Sequence, residues 1–138
     1  VYDFDKSISF EGDSGPYLQY TAGRANSILK KAGELKIQPH PHSPSPGQGR
    51  GLGGEVVSLE RLYQFSEVVE RSYQELAPHF IATYLTELAS AFNTFYGNTK
   101  ILDKENKNIS YHLDLVKSFY QTMKNGLWLL GIEIPEKM

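Results

Sequence analysis

Two tyrosines, an arginine, a serine and a lysine recur at helical spacing near the start of this chain. Tyr17, Tyr20, Arg24, Ser27 and Lys31 stand at i, i+3, i+7, i+10 and i+14, a spacing that puts them on one face of a helix. Rings and cations together have a recognisable chemistry. Flat rings stack on unpaired bases, and a guanidinium both stacks and pairs with phosphate. A second reading needs no ligand: both tyrosines are core residues that keep the hydroxyl wet. Spacing alone leaves both readings open.

The helix that must carry this face opens at Asp13 or Ser14, either of which can cap it, with Pro16 in the first turn, where a missing N–H costs little. Leu18, Thr21, Ala25, Ile28 and Leu29 form its core side, and it is expected to reach Lys31 or Ala32, with Gly33 as a left-handed stop. Residues 57–65 read as a short helix. Ser66 is expected to cap the next, 67–76, and Pro78 opens a fourth with the stripe Ile81, Leu85, Leu88, Phe92 and Phe95. Gly97 and Asn98 read as its stop, and 99–108 as a charged linker. The last helix, from about Ile109 to Leu130, carries Leu113, Val116, Tyr120, Met123, Leu127 and Leu130, and Gly131 ends it. Gly126 inside it costs ~1 kcal/mol against alanine, so another backbone is expected to press close there. The pattern is all-α, a bundle of about five amphipathic helices with no convincing sheet. Residues 1–14 read as a segment linking from a domain that precedes this one, and 15–138 as the helical domain.

A chain of 138 residues suits one domain with a real core. There is no cysteine, which rules out a disulfide framework and a thiolate zinc site and suits a reducing cytoplasm. The longest apolar run is too short to cross a bilayer, so no membrane role is read. No basic-then-apolar leader opens the chain, and the start at Val1 reads as a cut from a longer protein. Net charge is −2, unusual for a nucleic-acid binder, but the charge is segregated. Residues 15–54 carry five bases and one acid, whereas residues 55–99 carry two bases and six acids, so the surface differs in potential from place to place.

No catalytic constellation is visible. Nothing in the spacing of Ser, His and Asp selects a triad, and no P-loop motif is present. Residues 38–54 hold four prolines, five glycines and no aromatic residue. Such a segment buries too little apolar surface to offset its ordering entropy and reads as a surface loop. His40 and His42 within it form an i, i+2 pair without further ligands nearby, so no metal is assigned. His79 and His112 read as ordinary helix-end histidines.

Four blocks then occur in order. SFEGDSGPYLQYT (residues 9–21) closely resembles the opening of the anticodon-binding domain of arginyl-tRNA synthetases. Residues 65–96 resemble its middle helices, and LVKSFYQTMKNGLWLLGI (115–132) resembles its last long helix. PEKM (135–138) resembles the family's carboxyl terminus. The resemblance covers nearly all of the chain outside the Pro/Gly stretch. It implies the C-terminal, DALR-type helical domain of a class I synthetase, without the nucleotide-binding domain that uses ATP to join arginine to its tRNA. The implied partners are the arginine tRNA and the parent's own catalytic domain, and the implied state is monomeric and cytoplasmic. The implied domain carries no cofactor of its own and is inactive alone as a ligase.

By that resemblance Tyr96 stacks on an anticodon-loop base, Met138 lies close to the anticodon, and Gln19, Tyr20 and Arg24 belong to the opening-helix motif. Asn93 joins them by helical spacing, one turn before Tyr96, and Tyr17 and Lys31 through the shared face. There are departures. Ala22-Gly23-Arg24 replaces the usual His-Ala-Arg, and Tyr111, His112 and Tyr120 stand where basic residues are common. The alternative function is a helical protein-interaction module that uses the same aromatic face, which the net charge suits better. A related domain of another synthetase fits the string at 9–21 less well.

Overall fold

The computed structural model describes residues 15–37, 60–103, 105 and 107–136. The linking segment at 1–14, the Pro/Gly stretch with its two histidines, and Met138 lie outside the described residues. Within them the chain forms four α-helices and one 3-10 turn, with no strand: α1 (Gly15–Glu34), the 3-10 turn (Glu60–Gln64), α2 (Phe65–Gln74), α3 (His79–Asn98) and α4 (Ile109–Leu129). Of the short second helix expected at 57–65, the described part, Glu60–Gln64, is a 3-10 turn that runs straight into α2. Ser66 does not cap α2; Gln64 takes that position, with no side-chain cap bond.

Helices α1, α3 and α4 pack around one core, and α2 lies along α3. The α3 stripe is buried throughout, from Ile81 to Phe95. On α4 the buried stripe includes Phe119, while Tyr120 and Leu130 are only partly covered. On α1, Ala22 and Ala32 join the core and Leu29 stays at its margin. The α3–α4 seam is tightly packed. Phe92 stacks on Phe119 with centroids 4.1 Å apart, and His112 meets Phe95 edge-on at 5.4 Å. Burial pushes the His112 imidazole below its ordinary value, because the charged form loses its water. What presses on Gly126 is a side chain rather than a backbone. A Cβ there would lie 2.7 Å from Cδ2 of Leu85.

Helix ends show where local signals yield to packing. Gly131 is left-handed at φ 75° and ends α4 as expected, with the Ile132 N–H donating to the Leu127 carbonyl at 2.8 Å. Gly33 is not left-handed. It stays inside α1, and Lys36 takes the left-handed turn at φ 55°. The Ile37 N–H then donates to the Ala32 carbonyl, and Ile37 packs on the core. Gly97 and Asn98 lie in the last turn of α3, which ends on extended Thr99. Leu76, after α2, is also left-handed at φ 51°.

Candidate nucleic-acid interface

Between α1 and α3, beside the shared core, runs a set of polar contacts. The first turns of α1 bury Thr21 and leave Tyr20 49% exposed, while the end of α3 leaves Tyr96 44% exposed. Arg24 lies between these two rings. Its guanidinium carbon is 4.9 Å from the Tyr20 centroid and 5.0 Å from the Tyr96 centroid, a cation–π arrangement on both sides. The Tyr96 ring is backed by Phe92, whose centroid is 6.4 Å away.

Hydrogen bonds fix the guanidinium within this slot. Arg24 Nη1 donates to Asn93 Oδ1 at 2.9 Å, and Nη2 donates to the Tyr20 hydroxyl at 3.1 Å. Asn93 Nδ2 in turn donates to the Tyr17 hydroxyl at 3.0 Å and, more weakly, to Thr21 Oγ1 at 3.4 Å. Thr21 Oγ1 donates back to the Tyr17 carbonyl at 2.9 Å. A guanidinium has five N–H donors, so this network orients Arg24 and leaves donors over for a ligand. Part of the alternative reading of the tyrosines holds: Tyr17 is partly buried and its ring packs on the core, whereas the Tyr20 ring is open to solvent.

Gln19 points elsewhere. Its Nε2 donates to the Glu133 carbonyl at 2.7 Å and ties α1 to the segment after α4. Ile132 and Ile134 of that segment pack on the core. This brings Pro135 and Glu136 to a cleft of about 520 Å³, whose other walls include Tyr20, Arg24, Lys30 and Tyr96. Lys31, exposed, lines a second cleft of about 760 Å³.

Tyr17, Tyr20, Arg24, Asn93 and Tyr96 therefore form one connected group, flanked by Lys31. Gln19 serves the tail, and Met138 is outside the described residues. Lys30, near the end of α1, and Lys100, in the stretch read as a charged linker, also line these clefts. The only signal for them was charge of the same sign as Arg24 and Lys31. Of the positions that depart from the resemblance, Ala22 and His112 are buried, and Tyr111 and Tyr120 are partly buried against the core. Their side chains serve packing.

The fold and this face define a helical domain that presents one guanidinium between two aromatic rings. The model of the DALR anticodon binding domain matches residues 18–138, and the chain belongs to that family. It is 37% identical over its whole length to an arginine–tRNA ligase of Pyrococcus abyssi, and 36% identical over 99% of its length to that of Oenococcus oeni. It spans 22% and 23% of the length of those two proteins. Its fold is similar to part of the arginyl-tRNA synthetase of Thermus thermophilus, with a TM-score of 0.75 and 32% identity. That match covers 99% of this chain and 23% of the other. Among the described residues no helix is long and apolar enough to cross a membrane.

Proposed function

We propose that this domain grips the anticodon loop of an arginine tRNA as one part of a cytoplasmic, monomeric arginine–tRNA ligase. ATP and arginine are handled by that ligase's catalytic domain, and this domain needs no cofactor. The observation that carries the reading is Arg24 held between Tyr20 and Tyr96 by Asn93. Anticodon bases are unpaired and can be splayed out, so they can be bound by stacking on rings and by contacts from a guanidinium that already has its orientation. The family membership and the ligase relatives support the same reading. Gln19 acts by placing the tail wall of the cleft.

The test is titration of arginine tRNA with the parent chain and with Arg24→Ala and Tyr96→Ala, each over a fourfold range of salt. Binding through a few phosphates weakens roughly tenfold or more across that range. Arg24→Ala is expected to lower affinity roughly tenfold to a hundredfold and to flatten the salt dependence, while Tyr96→Ala lowers affinity with the slope kept. Affinity for tRNA that neither substitution changes would remove this face from the function. A protein partner bound by the same face, with little salt dependence, would favour the interaction-module reading.

A further inference from the structure

Arg24, Ser27 and Tyr96 are walls of two clefts at once. The smaller is the one closed by Pro135 and Glu136. The larger, about 760 Å³, is lined beyond the shared wall by Lys31, Thr99, Lys100, Ile101 and Asp103, and its volume falls in the range of ligand sites. Its charge is unbalanced, with Arg24, Lys31 and Lys100 against the carboxylate of Asp103. Neither lysine is ion-paired among the described residues. Ile28 and Ile101 give it an apolar floor, both buried, and the Tyr96 ring gives it a flat, half-open side.

We infer that the larger cleft seats a second nucleotide of the same RNA loop, with its phosphate on Lys31 and Lys100 and its base against Tyr96. This rests on the tRNA reading above. Two clefts that share one wall accept neighbouring nucleotides of one strand, with Tyr96 and Arg24 between them. A ring, an apolar floor and unpaired cations are the components of single-strand binding sites. Asp103 sets the direction. One of its oxygens accepts the Glu105 N–H at 3.0 Å, and the carboxylate repels a phosphate from its end of the cleft. Its remaining acceptor capacity, unused among the described residues, suits the exocyclic amino group of a base.

The experiment uses the 138-residue chain and a hairpin RNA that carries the anticodon loop of arginine tRNA. Lys31→Ala with Lys100→Ala should weaken binding roughly tenfold and reduce the salt slope by about one for each lysine, the signature of lost phosphate contacts. Both side chains are exposed, so folding is not at risk. Loop bases are then replaced one at a time by analogues without the amino group. One position, distinct from the one whose loss is masked by Arg24→Ala, should weaken binding to the parent and not to Asp103→Ala. Should the lysine pair leave affinity and slope unchanged while Arg24→Ala weakens binding, the second cleft is wrong and the tRNA reading stands. Should no loop position lose its effect in Asp103→Ala, the base is not seated there and the inference falls. Should Arg24→Ala also bind like the parent, both readings fall together.

Discussion

Beside its packing against α2, helix α3 makes two contacts of opposite character. Toward α4 it is dry: Leu85 fills the space left by Gly126, Phe92 stacks on Phe119, and Phe95 meets the buried His112. Toward α1 it is polar: Asn93 bridges Tyr17, Thr21 and Arg24, and Tyr96 lies open beside them. The dry seam fixes where the helix backbone stands. The polar seam spends that rigidity on the direction of one guanidinium. Stability and the proposed recognition are thus assigned to two faces of the same twenty residues, and most substitutions on one face should barely register in the property of the other.

Phe92→Ala should test the dry face hardest. It removes a fully buried ring stacked on Phe119, and the expected cost is about 3–5 kcal/mol of unfolding free energy, read by denaturant titration. Because Phe92 also backs Tyr96, RNA affinity should fall as well, which makes this the one place where the two faces meet. Gly126→Ala comes next. Alanine gains about 1 kcal/mol of helix propensity, but its Cβ would lie 2.7–3.1 Å from three atoms of Leu85, which is itself fully buried. A net loss of about 1–2 kcal/mol is expected from overpacking, with RNA binding unchanged. A more stable Gly126→Ala protein would show that the seam is looser than drawn. Asn93→Leu should have the smallest effect on stability, about 1 kcal/mol, yet it should lower RNA affinity several-fold by releasing Arg24. In an Arg24→Ala background the same substitution should cost no further affinity, and a double-mutant cycle reads that coupling directly. Independent losses would mean that Asn93 acts on RNA by some route other than Arg24.

Much of the fold was legible because three helices carry strong apolar stripes. The α3 stripe from Ile81 to Phe95 is buried as the period requires, and Gly131 ends α4 with the positive φ that glycine suits. The stop of α1 was not legible. Gly33 offered the local signal, but Ile37 packs on the core and draws the chain through Lys36 instead. Helical period also found the face of Tyr20 and Arg24, and the resemblance supplied Tyr96. What no spacing could show is that Arg24 meets a residue 69 positions away. Nor could it separate Tyr17, turned inward, from Tyr20, turned out. Lys31 lay on the face the period defines, but its pairing with Lys100 in one cleft was hidden for the same reason, since Lys100 joins that cleft only once the end of α3 lies beside α1.

The bond between Gln19 and Glu133 joins positions 114 apart, and it bears on how the protein is made. A ribosome delivers α1 long before the segment that finishes the cleft beside it, and contacts of such separation are slow to close. A nascent chain can therefore fold its helices and still present only an open trough. The cleft beside α1 is completed only once the segment after α4 has been made and has docked against Gln19.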